Sequence, residues 1–115
     1  MSLETVQDYV SRSREILLDQ VVPYRYPDLS LVEGLNIGIL EGRRLRPDLF
    51  TAYFRTPLPS YVYTDMTPLV PIDQMYRMAF VYYMCGIAQL RDDETTQDSR
   101  AVTFLQKFAT LLISI

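Results

Sequence analysis

The stretch Ser30-Leu31-Val32-Glu33-Gly34-Leu35-Asn36-Ile37-Gly38-Ile39-Leu40-Glu41-Gly42-Arg43-Arg44-Leu45-Arg46-Pro47 decides how this chain is read. Ser30 followed by Glu33 has the form of a capping box, in which each side chain satisfies a backbone N–H at a helix start. A helix is therefore predicted from about residue 30 to residue 46, where Pro47 removes a donor and stops it. Within it Gly34, Gly38 and Gly42 fall four apart, on one face. A glycine inside a helix costs about 1 kcal/mol relative to alanine. Three at helical spacing imply a compensating gain, namely close backbone approach by a neighbour. That neighbour is either another helix of the same chain or a helix of an adjacent subunit.

Three more helices are predicted around this one. The first covers about residues 2–21, with Ser2 as cap and Glu4 set favourably against the dipole. Val6, Tyr9, Val10, Ser13, Ile16, Leu17 and Gln20 give it a mostly apolar i, i+3, i+4 rhythm, and Pro23 and Pro27 end it. The third, about 72–91, opens after Pro71. Ile72, Tyr76, Ala79, Phe80, Tyr83, Ile87 and Leu90 line one side while Met75, Met78, Val81, Tyr82, Met84 and Cys85 make the rest apolar as well. A helix apolar nearly all round is enclosed by neighbours. The fourth, about 97–113, carries the cleanest stripe: Ala101, Phe104, Leu105, Phe108, Leu111, Leu112 and Ile115. Between the second and third lies a long extended loop, 47–70, with Pro57, Pro59 and Pro68 and with Tyr53, Tyr61 and Tyr63 among them. Tyr61-Val62-Tyr63-Thr64 has the composition of a short strand or hairpin. A connection of this length in a small domain tends to be functional. The fold class expected is mainly α, a small bundle of about four helices in a single domain, 1–115.

Composition narrows the function. At 115 residues, 49% hydrophobic and 22% charged, the chain suffices for one modest core and an ordinary polar surface. The nearly apolar run Met78 to Ala88 is about half the ~20 residues a bilayer requires, and the first residues have neither the basic nor the apolar stretch of a secretory signal. A cytoplasmic origin is expected, and one cysteine, Cys85, forms no internal disulfide. The net charge of −3 argues against a protein that grips nucleic acid through its phosphates. The basic cluster Arg43, Arg44 and Arg46 is flanked by Glu41 and Asp48, and its cations also suit a helix C-terminus.

Catalytic readings fare poorly. The chain contains no histidine, which removes the commonest general base, the Ser-His-Asp and Cys-His arrangements, most zinc sites and the Glu-x-x-His pairs of di-iron bundles. Cys85, among large apolar residues, reads as an inert core thiol. Asp92, Asp93, Glu94 and Asp98 lack the glycine and the alternate ligands of a calcium loop and read as an acidic helix start. Asp28-Leu29-Ser30 has the wrong residue order for an acyl-carrier attachment site, and Ser30 is better explained as a cap. No enzyme, no cofactor and no metal site is expected. Contact chemistry fares better: tyrosine is enriched at interface cores, so Tyr53, Phe54, Arg55, Tyr61 and Tyr63 are candidate partner contacts, against the alternative that they fold back over the bundle. The apolar end Leu111 to Ile115 either tucks into the core or meets another chain.

Leu35-Asn36-Ile37-Gly38, then Glu41, then Arg44-Leu45-Arg46-Pro47-Asp48 resembles a motif of the small head–tail adaptor, or connector, proteins of tailed bacteriophages. Members read leucine-asparagine-any-glycine followed by a helix ending in arginine-leucine-arginine-proline-aspartate. The proline-initiated third helix and the Ala101, Phe104, Phe108 pattern are similar to that family's ending. Gly34 and Gly42 depart from it, since bulkier residues are more usual there, and the middle loop does not align. The resemblance implies a helical bundle assembled as a homo-oligomeric ring, a dodecamer, beneath the portal protein. Such a ring joins capsid to tail or nozzle protein in the virion and leaves a channel through which DNA passes without sequence-specific binding. It also implies assembly in the host bacterial cytoplasm and no membrane partner. On this reading the three glycines serve helix packing or a subunit interface, the arginines form salt bridges to neighbouring subunits, and the loop from Arg55 to Tyr63 touches portal or tail. The competing reading is a small helical protein-binding module, monomeric or dimeric, using the same tyrosines without a ring.

Overall fold

A computed structural model of the chain describes residues 3–19, 26–53, 57–90 and 98–113. The architecture is mainly α: α1 (Val6–Leu17), α2 (Asp28–Leu45), α3 (Arg77–Leu90) and α4 (Asp98–Ile113). Short 3₁₀ segments follow α2 at Pro47–Tyr53 and precede α3 at Gln74–Tyr76. No strand forms among the described residues; two isolated antiparallel bridges, Thr5 with Leu69 and Val62 with Asp65, take its place.

α3 is the central post. It packs on α1, α2 and α4, and Ala79, Phe80, Val81, Tyr83, Met84, Cys85 and Ala88 are buried along it, as a helix apolar on nearly every side requires. Phe80 sits in an aromatic stack, edge-on to Phe50 at 6.4 Å and to Phe108 at 5.4 Å, with Tyr83 against Phe108 at 4.7 Å. Phe50 reaches that stack because the 3₁₀ segment after α2 kinks at its backbone (φ −122°, ψ 30°). Val6, Tyr9, Val10 and Leu17 of α1 and Ala101, Phe104, Phe108 and Leu112 of α4 complete the interior.

Both ends of α1 and the starts of α2 and α3 depart from the expected boundaries, while the end of α2 and both ends of α4 fall within a residue of them. α1 begins after Thr5 rather than Ser2. Thr5 Oγ1 accepts from the Asp8 N–H at 3.2 Å while Asp8 Oδ2 accepts from the Thr5 N–H at 3.1 Å, a complete capping box. It closes at Leu18, in the left-handed region with φ 58°, five residues before Pro23; Val21 and Pro23 lie outside the described residues. α2 begins at Asp28, two residues before Ser30, and Ser30 forms no capping box; the Pro27 carbonyl accepts instead from the Ser30 and Leu31 N–H groups at 3.0 and 3.3 Å. α3 starts later than Ile72, because Asp73 caps the 3₁₀ turn by accepting from the Met75 N–H at 3.0 Å and the Arg77 Nε donates to the Ile72 carbonyl at 2.9 Å. The expected end at Arg91 and the acids Asp92 to Glu94 lie outside the described residues.

A buried guanidinium explains the early start of α2. Arg14, only 6% exposed, donates from Nη1 to Asp19 Oδ2 at 2.8 Å and to the Tyr26 carbonyl at 2.7 Å, and from Nη2 to Asp28 Oδ1. Asp19 Oδ2 accepts in turn from the Tyr26 N–H at 2.9 Å. One planar fork thus ties the end of α1 to the first turn of α2.

Candidate functional site

The three glycines of α2 face α3 of the same chain. A Cβ on Gly34 would lie 3.4 Å from the Met84 Cα, on Gly38 3.0 Å from Tyr83 Cδ1, and on Gly42 2.7 Å from Phe80 Cζ. The approach tightens along the helix, so the face is a packing seam within the bundle. Gly86 of α3, not singled out by spacing, makes the matching approach to α4: its Cβ would meet Leu105 at 2.9 Å and the Ala101 carbonyl at 3.2 Å.

The arginine cluster divides. Arg46 is committed internally: its Nε and Nη2 fork onto Asp48 at 3.0 and 2.9 Å, its Nη1 donates to the Leu112 carbonyl at 2.6 Å, and it lies 5.4 Å from the Tyr76 ring centroid. It thereby caps the last turn of α4 from the end of α2, where free carbonyls favour a cation. The fork holds the Asp48 carboxyl below its ordinary value. Arg44 forks onto Glu41, one turn back, and lowers that carboxyl in the same way. Arg43 is exposed and makes no ion pair among the described residues.

The tyrosines divide too. Tyr61 is 9% exposed and folds back on the bundle. Its N–H donates to Asn36 Oδ1 at 2.9 Å, its carbonyl accepts from Asn36 Nδ2 at 2.8 Å, and its phenol donates to the Leu69 carbonyl at 3.1 Å. Asn36, from the middle of α2, therefore acts on the loop as a neighbouring strand would. The loop also caps α1: the N–H groups of Val6 and Gln7 donate to the carbonyls of Pro68 and Met66 at 3.1 and 2.9 Å, and the Val70 N–H donates to Glu4 at 2.8 Å. Between these anchors the chain makes a tight turn, Val62 to Asp65, closed by the Asp65 N–H on the Val62 carbonyl at 3.2 Å. This replaces the expected strand, and it leaves Val62 56% and Tyr63 48% exposed at the tip of a hydrogen-bonded turn. Tyr53 ends the 3₁₀ segment after α2; Phe54 and Arg55 lie outside the described residues.

A surface groove of about 390 Å³ runs between α3 and α4, lined by Tyr82, Thr103, Gln106, Lys107, Thr110 and Leu111. Tyr82 is stacked on Phe104 (6.0 Å, 17°) and Lys107 holds its ammonium 5.1 Å from the Tyr82 ring centroid. Nothing in the spacing of α4 marks Thr103, Gln106, Lys107 and Thr110, because they flank its apolar stripe as ordinary polar positions do. Arg14 carried a signal that periodicity alone underrates: it stands four after Val10 and three before Leu17, on the buried face. Cys85 is buried, its thiol directed at the Ser13 carbonyl at 3.7 Å. No group of three or more metal-ligating side chains occurs among the described residues.

Set beside known proteins, the chain matches no family model, no curated protein and no solved structure.

Proposed function

We propose that this chain is a structural head–tail adaptor subunit of a tailed bacteriophage, forming a homo-oligomeric ring, a dodecamer, between the portal protein and the tail or nozzle protein. The observation that carries the reading is the coherence of the segment Leu35 to Asp48. Asn36 fastens the long loop to α2, Gly38 seats α2 on α3, and Arg46 with Asp48 ties α2 to the end of α4. The residues that resemble the adaptor motif are thus the ones that join α2 to α3, to α4 and to the loop, as expected of a signature of that bundle. Support of a second kind is the loop tip, which displays Val62 and Tyr63 on an already ordered backbone, so little entropy is lost on docking. Arg43 is the member of the basic cluster available to a neighbouring subunit. DNA passes through the ring without base-specific contacts, in keeping with the net charge of −3.

Native mass spectrometry and negative-stain imaging of the purified chain, alone and with the portal protein of its own genome, test this. Rings seated on the portal are expected. A strict monomer that leaves the portal bare overturns the proposal and favours a monomeric binding module.

A further inference from the structure

We propose that the groove between α3 and α4 receives the Val62–Asp65 turn of a second copy of this chain, Tyr63 entering beside Tyr82 and Leu111 while Asp65 meets Lys107. The inference deepens the assembly reading above and rests on it only for the closure of successive contacts into a ring.

The two surfaces match in chemistry. The turn offers Val62 and Tyr63 as apolar bulk with a carboxylate two residues beyond; the groove offers Tyr82 and Leu111 as apolar wall with one ammonium beside them. Asp65 uses Oδ1 to hold the Thr67 N–H and hydroxyl at 3.2 and 2.7 Å, and its Oδ2 makes no hydrogen bond among the described residues. Lys107 pairs with no carboxylate among them. Thr103, Gln106 and Thr110 supply polar atoms within the groove for the Tyr63 hydroxyl.

They also match in placement. The turn is fastened to α1 and to the middle of α2, and among the described residues no hydrogen bond joins it to α4. The groove belongs to α3 and α4. A knob and a hole on different elements of one chain make a head-to-tail contact, which closes into a ring or continues as a filament according to the rotation it imposes. Because the turn is ordered by bonds at both ends, insertion orders few new torsions, and the affinity available from one buried tyrosine is not consumed by the loop.

Cysteine trapping tests the contact, since Cys85 is buried and does not compete. Thr64→Cys places a thiol on the exposed tip without removing Tyr63, and Thr110→Cys places one in the groove. On mild oxidation of the full-length chain at high concentration, covalent dimer is expected in the mixture of the two variants and not in either alone. Adding Lys107→Glu to the groove variant is expected to lower the yield about fivefold, the scale of one lost surface ion pair plus repulsion. Circular dichroism checks that each variant folds. Dimer no more abundant than in a mixture of Thr64→Cys with Gln74→Cys overturns the inference, as does preferential linkage of two Thr64→Cys copies. Rings that seat on portal protein without the Thr64–Thr110 link sink the groove and leave the adaptor reading standing. The link without portal engagement does the reverse.

Discussion

Arg14 is a guanidinium inside the core, and its value to the fold lies in what its loss would strand. Asp19 is 8% exposed and shares its Oδ2 between Arg14 and the Tyr26 N–H. Removing one member of a buried pair leaves an uncompensated charge, which costs about 3–5 kcal/mol. Arg14→Met should therefore move the urea midpoint far down, and Arg14→Lys should not restore it, because one ammonium cannot fork onto Asp19, Asp28 and the Tyr26 carbonyl together. Tyr9 is the opposite case. Its hydroxyl is fully buried and has no hydrogen-bond partner among the described residues. An unmade bond of this kind is destabilising, so Tyr9→Phe should leave stability unchanged or raise it by about 1 kcal/mol. Leu18 supplies a third test. It holds a left-handed backbone with its side chain 82% exposed, so Leu18→Gly relieves strain and gives up little packing. A gain of about 0.5–1 kcal/mol, read as a rise of a few degrees in Tm, is expected; a lower Tm would mean that Leu18 is held by contacts rather than by the cap.

The seam between α2 and α3 turns spacing into a graded prediction. Gly34→Ala meets Met84 at ordinary contact distance, so helix propensity should prevail and stability should hold or rise by up to about 1 kcal/mol. Gly38→Ala requires Tyr83 to give way slightly. Gly42→Ala drives a methyl into a Phe80 ring already held by Phe50 and Phe108, and should cost about 1–3 kcal/mol, as should Gly86→Ala against Leu105 and the Ala101 carbonyl. Thermal melts of the four variants should order themselves by these clearances, and equal melts would show that the helices slide apart freely. This seam was half legible in the sequence. Three glycines at helical spacing announce a close neighbour, but periodicity cannot say which helix supplies it. The helices themselves were legible because burial against α3 writes an apolar stripe into α1 and α4. Both ends of α1 and the starts of α2 and α3 were not, because Arg14, the Pro27 carbonyl and Asp73 set them through contacts between elements or through backbone groups. The loop was legible as irregular from its prolines, while its attachment to Asn36 was not, since one asparagine among apolar residues names no partner. Asn36→Ala should accordingly leave the helices intact and raise amide exchange across residues 61–70, with a stability loss of about 1–3 kcal/mol.

Across the whole molecule the absence of histidine gives stability an unusual shape against pH. Asp8 is held below its ordinary value, first by the Thr5 N–H; Glu41 by Arg44, Asp48 by Arg46 and Asp65 by the Thr67 side chain are lowered likewise. A carboxyl whose folded value is depressed contributes stability above its unfolded value, and that contribution fades as pH falls through the folded one. The acid limb should therefore begin near pH 4 and steepen below it. On the alkaline side Tyr9 and Tyr83 are raised, chiefly by burial. A phenol whose folded value is raised contributes fully below its unfolded value, and the contribution is lost as pH climbs toward the folded one, so stability should decline above about pH 10. With histidine absent, the single cysteine, Cys85, is the one side chain whose ordinary value lies between these limits, toward their alkaline end. Tm measured from pH 3 to pH 11 should be level between about pH 5 and pH 8, and Tyr9→Phe should soften the alkaline limb while leaving the acid limb in place. An alkaline limb unchanged in Tyr9→Phe would assign the loss to Tyr83 instead. A sloping plateau near neutrality would require a group whose folded or unfolded value lies there, and histidine, the side chain that titrates there when unfolded, is absent.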